Sequence, residues 1–291
     1  MKKREQVTIG HLWGAFYPVL LYFGITIVAG VILMVMAYLE GKLVIQNGKI
    51  DVSQLGDSFS LMLTFFGALM TVPFLILIKH LDLKKQKLIG AYGYKSVAIP
   101  KYLLIIPFAV TFMYSANMIV TMIEKIFPSI SHSFDETAKA IYGANIYLQI
   151  ATAVILGPIV EELIFRGLMY IRLKRMFGGV VAALVTGLIF GIYHMNISQG
   201  IYAFIFSYAA IFVYEKYKNI CAPIIFHMAA NGISVLVSFL FKDYNTSSGS
   251  VQRSASGSTG WASLFLVFGV STLMCILFGL LIKNFVNPKK K

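Results

Sequence analysis

The sequence predicts an all-α fold: a polytopic transmembrane helix bundle of about eight spans, with both termini on the cytoplasmic side. Three observations predict it. Hydrophobic residues make up 58% of the 291-residue chain and charged residues only 13%, against about 45–50% and about 25% in soluble domains. The apolar residues fall in continuous runs rather than alternating ones. In lipid every backbone polar group must be satisfied within a helix or a closed barrel, so continuous runs read as helices. The basic residues, finally, are shared unevenly between alternate loops. This composition excludes an ordinary soluble domain, a disordered chain and a disulfide-rich secreted domain.

Eight apolar runs are present, at about 12–39, 60–78, 102–122, 146–170, 179–197, 200–214, 219–241 and 261–285. A helix needs about 20 apolar residues to cross a bilayer, so 200–214 is the run that fits a span least well. The first run is longer than a signal-peptide core, lacks a small-residue cleavage site and reads as a retained anchor. With the N-terminus inside, eighteen of the 25 Lys and Arg residues fall on the cytoplasmic side, six fall outside, and Arg166 lies within a span. Seven spans would instead place Lys289, Lys290 and Lys291 outside, against the positive-inside rule. A single integral membrane domain over 1–291 is expected, as a multi-pass protein of a bacterial plasma membrane. The stretch Tyr244–Gly260 is low in complexity and reads as a mobile outer loop.

The net charge of +13 does not point to nucleic acid, because the lysines cluster at the ends of apolar runs. Membrane lipids are the expected partners. Cys221 and Cys275 lie in or beside apolar runs without CxxC spacing and read as buried packing rather than a disulfide framework.

Polar residues inside the runs are the informative ones. Of twelve acidic residues, Glu161 and Glu162 lie well inside a span; so do two of the five histidines, His194 and His227. Arg166 and Asn231 complete the set. A charged side chain near the bilayer centre costs about 2.5–3.5 kcal/mol on insertion scales, so this concentration needs a reason. Glu162 and Arg166 are four apart and can pair on one helix face. Glu161 is turned about 100° away and is left as the freer carboxylate. His227 and Asn231 share the four-residue spacing, as do Phe190 and His194. Pro158, just upstream of the glutamates, removes a backbone donor and tends to kink the helix.

Taken singly, most of these residues fit a structural role: an ion pair for Glu162 and Arg166, interhelical hydrogen bonds for His194, His227 and Asn231. Glu161 has no evident local partner. Together they fit hydrolysis of an amide. A carboxylate and an imidazole converging on a water make a general base, and an imidazole with a side-chain amide can stabilise a developing oxyanion. Glu161 and His194 are therefore assigned to water activation, and His227 and Asn231 to the tetrahedral intermediate. Glu162 and Arg166 support the helix geometry and local charge, with Phe190 beside them. Depth leaves one tension: Glu161 lies about 15 Å from Arg172, whereas His194 lies about 20 Å from Gly179. It eases if the fourth and fifth helices both extend into the cytoplasm.

The three motifs resemble a known family. GPIVEELIFRG carries EExxxR, FGIYH carries FxxxH, and HMAAN carries HxxxN, in the order found in the CAAX-protease and bacteriocin-processing (CPBP) family of intramembrane proteases. The resemblance covers about 145–235, the expected catalytic core. It implies Glu161 as catalytic glutamate with His194 beside it, His227 and Asn231 as the oxyanion site, and Arg166 as the motif arginine. It further implies an intramembrane endopeptidase acting on a membrane-associated peptide or protein, with a role in peptide maturation, bacteriocin processing or self-immunity.

No cofactor is predicted. Zinc held by Glu161, His194 and His227 is the alternative, since zinc accepts carboxylate and imidazole ligands. The chain has no HExxH, and asparagine is an uncommon zinc ligand, so glutamate-activated water is favoured. Two other function classes compete: a non-catalytic membrane scaffold or immunity protein that kept the motifs, and a transporter or proton relay, because intramembrane carboxylates and histidines also mark ion paths.

Overall fold

The computed structural model describes residues 8–42, 44–46, 49–51, 58–85, 98–130, 141–240 and 260–286. Eight apolar helices account for almost all of them. They are α1 Ile9–Leu39, α2 Phe59–Lys85, α3 Ile99–Ile126, α4 Ile146–Phe177, α5 Gly179–Tyr193, α6 Ile197–Tyr217, α7 Cys221–Leu240 and α8 Trp261–Phe285. Among the described residues seven helices are long and apolar enough to cross a membrane, and the eighth, α5, has 15 residues. The chain is thus an all-α polytopic bundle. A small addition is an antiparallel hairpin between α1 and α2, with β1 Val44–Gln46 paired to β2 Lys49–Asp51. Most of the low-complexity stretch 244–260 lies outside the described residues.

The short helix is not the expected one. The run at 200–214 belongs to α6, a 21-residue helix. Its ends look too polar for a span because Ser198, Gln199 and Glu215 belong to it. Inside the bundle these find partners: Ser198 donates to Glu124 at 2.6 Å. Half of the most apolar window of α6 is buried within the protein, so its polar groups need not face lipid. Helix α5 stops early because the chain turns after His194. Met195 takes a left-handed backbone (φ +51°), and Asn196 caps α6 by accepting from the Gln199 amide at 3.0 Å. At this crossing α5 and α6 come backbone to backbone. A Cβ on Gly191 would stand 2.8 Å from the carbonyl oxygen of Gly200, so no larger residue fits without displacement.

Side-chain contacts fix the direction of each helix. Arg172 bonds Asp82 at 2.9 Å and also donates to the Gly14 carbonyl. Lys174 pairs with Glu215 at 2.6 Å, and Lys218 pairs with the same carboxylate. Lys101 donates to the Phe285 carbonyl at 2.7 Å, and Tyr217 to the Lys101 carbonyl at 2.6 Å. These bonds gather the start of α1, the end of α2, the start of α3 and the ends of α4, α6 and α8 at one basic end of the bundle. At the other end Glu124 meets Ser198, and Lys125 stands 5.8 Å from the Trp261 ring. The helices therefore alternate in direction, α1 begins at the same end at which α8 finishes, and the short α5 still runs from one end toward the other.

The core lies where α3, α4, α6 and α7 meet. Phe108, Phe206 and Phe226 form an aromatic cluster, with ring centroids 5.4 Å apart for Phe108 and Phe226 and 4.9 Å apart for Phe206 and Phe226. Helix α8 is peripheral and packs on α3. Ser115 and Ser271 hydrogen-bond across that contact at 3.0 Å, a polar link between helices of the kind that lipid favours. Of the two cysteines, both free, Cys275 is half-buried but Cys221 is exposed at the basic end. The expectation of buried packing fails for Cys221, the first residue of α7, which is exposed while its neighbours Ala222 and Pro223 are buried.

Candidate active site

Helix α4 carries the two glutamates and is not a uniform α-helix. Residues Ile150–Leu156 and Leu163–Tyr170 are π-helical, flanking an α-helical segment Gly157–Glu162. Such i→i+5 stretches are rare and are frequently found at functional sites. Pro158 supplies a local reason for the first. It has no N–H to offer, and the Gly157 N–H bonds the Thr152 carbonyl instead of that of Ala153. The Ala153 carbonyl is thereby left with neither an i+4 nor an i+5 donor from its own helix. Asn231, reaching across from α7, fills the gap: its Nδ2 donates to the Ala153 oxygen at 2.8 Å. One amide hydrogen of Asn231 is held in this way, and the other remains available to the cavity that Asn231 lines.

Glu162 is completely buried and makes two contacts with one oxygen. Its Oε1 accepts from Arg166 Nη1 at 2.9 Å and lies 2.9 Å from His227 Nδ1. The pairing with Arg166 is the one anticipated from the i,i+4 spacing; the contact with His227 crosses from α4 to α7 and could not be read from spacing. On its other side His227 places Nε2 3.7 Å from Glu161 Oε2. The imidazole is thus bracketed by both glutamates of the motif. A carboxylate paired with arginine is an acceptor, so Nδ1 of His227 is the N–H donor and Nε2 is the nitrogen turned toward Glu161.

Arg166 lies at the centre of the support, with no exposed side-chain surface. Its guanidinium stands 4.5 Å from the centroid of the Phe190 ring and 5.8 Å from that of Phe206, a desolvated cation–π arrangement. Phe190 serves two further ends. Its ring meets that of His194 edge to face at 4.8 Å. Its carbonyl oxygen lies 2.8 Å from His194 Nδ1. Because a carbonyl only accepts, that nitrogen carries the proton, and a neutral His194 keeps its lone pair on Nε2. The FxxxH spacing therefore fixes both the orientation and the tautomer of the histidine, through an ordinary i,i+4 relationship.

A cavity of about 570 Å³ joins these groups, within the range of natural ligand pockets. Glu161, His194, His227 and Asn231 all line it; Phe190 forms part of its wall, and Glu162 and Arg166 lie behind it. The depth tension disappears. Helix α4 continues to Phe177 and α5 begins at Gly179, so Glu161 and His194 lie about 24 and 22 Å along their helices from the shared turn. Other lining residues escaped the sequence reading. Asn117, a polar residue within the α3 span, carried a signal that could have found it. Phe206, with its ring 4.6 Å from that of His227, is one of 23 phenylalanines and carried none. Among the described residues no three His, Cys, Asp or Glu side chains are grouped so as to hold a metal ion.

Part of the chain is similar to known proteins. Residues 143–233 match the family described as type II CAAX prenyl endopeptidase Rce1-like. The chain is also 31% identical over 90 residues to a Bacillus subtilis (strain 168) protein named "Putative membrane peptidase YdiL". That alignment covers 31% of this chain and 37% of the relative. No solved structure matches the chain.

Proposed function

We propose, from the match of residues 143–233 to the type II CAAX prenyl endopeptidase Rce1-like family, that the chain is an intramembrane endopeptidase hydrolysing a membrane-associated peptide or protein. The single observation that carries this reading is the bracketing of His227 by Glu161 and Glu162 at the wall of a cavity shared with His194 and Asn231. Glu161 takes a proton from a water in the cavity, with His194 Nε2 as the second acceptor that orients it. The hydroxide attacks the scissile carbonyl carbon. The oxyanion that forms accepts from the free amide hydrogen of Asn231 and from His227 Nε2 when that nitrogen carries a proton. The proton held by Glu161 then passes to the departing amine, and the C–N bond breaks. Every step is performed by side chains of this chain and one water. Peptide maturation, bacteriocin processing or self-immunity is the corresponding physiological role.

The test uses purified protein in detergent with short lipidated and amphipathic peptides. Glu161→Gln and His227→Ala are each expected to lower cleavage by about 10²–10⁴-fold, with helical content retained. Undiminished cleavage by either variant removes the assignment.

A further inference from the structure

The cavity has a direction. Its lining residues lie on the part of each helix away from the basic end. On α2 they are Ser60, Leu61 and Thr64, at the start of the helix, whereas Lys84 and Lys85 close its other end. On α6 they begin with Ser198 and Gln199 and stop at Phe206, well before Glu215. On α3 they are Asn117 and Val120, in the half that ends at Ile126. Between the cavity floor and the basic end stand the aromatic cluster and the fully buried Arg166. The mouth is therefore at the end where α1 finishes and α2 begins.

Charge assigns that end to one side of a membrane. Lys84, Lys85, Lys101, Arg172, Lys216 and Lys283 cluster at the basic end, whereas Lys42 and Lys125 stand at the mouth end. Positively charged segments flanking spans stay in the cytoplasm. We infer that the catalytic cavity opens to the extracytoplasmic face, and that its substrate is an extended peptide segment presented from that side. The hydroxyl of Ser60 and the amide of Gln199 lie at the mouth, where they can hydrogen-bond the backbone of an extended peptide segment. The inference rests on the protease reading for the word substrate; the direction of the opening does not.

The test is cysteine accessibility in intact bacterial cells with a membrane-impermeant maleimide. In a Cys221→Ser, Cys275→Ser background, Ser60→Cys and Gln199→Cys are expected to be labelled at least tenfold more than that background without permeabilisation. In a chain changed only by Cys275→Ser, Cys221 is expected to react only after permeabilisation, which needs no alteration of the cavity. Labelling of Cys221 in intact cells, with the two mouth positions protected, overturns the inference. Cleavage by detergent-solubilised enzyme, where both faces are open, separates the two proposals. Cleavage with reversed labelling defeats only the direction, and labelling as expected without Glu161-dependent cleavage defeats only the protease.

Discussion

His227 Nδ1 stands 2.9 Å from Glu162 Oε1, so the second glutamate of the EExxxR pair reaches another helix as well as its own. This gives Glu162 two duties that substitutions can separate. Glu162→Gln leaves Arg166 charged, buried and without its ionic partner, a defect that costs about 3–5 kcal/mol; thermal unfolding in detergent measures it. Replacing the pair together, as Glu162→Leu with Arg166→Met, removes the unpaired charge and is expected to recover most of that stability. Cleavage should stay low in the double variant, because His227 has lost the acceptor that orients it. Recovery of both properties would show that Glu162 acts on stability alone.

Pro158 is expected to influence the reaction from a distance. Pro158→Ala restores a backbone N–H that competes for a carbonyl of the preceding turn and can displace Asn231 from Ala153. The outcome expected is a kcat lowered about tenfold, equal to about 1.4 kcal/mol, with unfolding temperature unchanged or raised. Asn231→Ala is the reference, with a loss of about 10²–10³ in kcat and a stability cost of about 1 kcal/mol for the lost hydrogen bond. A Pro158→Ala enzyme as active as the original would disconnect the proline from the site.

Phe190 faces both a buried cation and a histidine. Phe190→Leu keeps the carbonyl that holds His194 but removes the ring. The cation–π contact alone is worth about 2 kcal/mol when desolvated, and the lost ring adds to that. A destabilisation of about 2 kcal/mol or more, read by denaturation, should accompany a fall in kcat larger than any rise in KM.

Met195 offers a stabilising change. A non-glycine residue in the left-handed region costs about 1–2 kcal/mol, and glycine gives back about 0.5–1 kcal/mol through the entropy of the unfolded chain. Met195→Gly should therefore stabilise the protein by about 0.5–1 kcal/mol, seen as a higher unfolding temperature. A lower one would mean that the Met195 side chain contributes contacts that outweigh the backbone strain.

Much of the bundle was legible in the chain because lipid imposes a one-dimensional rule: a span must be long and apolar. Helices α1, α2 and α8 obey it and were found within a few residues at most ends. Helix α6 obeys it over its full 21 residues, but its polar ends, which find partners on neighbouring helices, hid its length. The reverse error, overestimating α5, has the same origin: hydropathy sees composition, but a backbone turn at Met195 ends the helix. At the site, contacts within one helix were readable, as with Glu162 and Arg166, because 3.6 residues per turn places them together.

Composition and helical periodicity thus settled by themselves that the chain is a polytopic helical bundle, and they placed Glu161, Glu162, Arg166, His194, His227 and Asn231 within its apolar runs while passing over Asn117. Tertiary structure alone decided which of them meet. The bond from Glu162 to His227, the capture of the Ala153 carbonyl by Asn231 and the end at which the cavity opens all depend on how separate helices are rotated and shifted against one another. Those rotations follow from side-chain packing between helices, such as the Gly191 and Gly200 crossing, which no property of a single helix encodes.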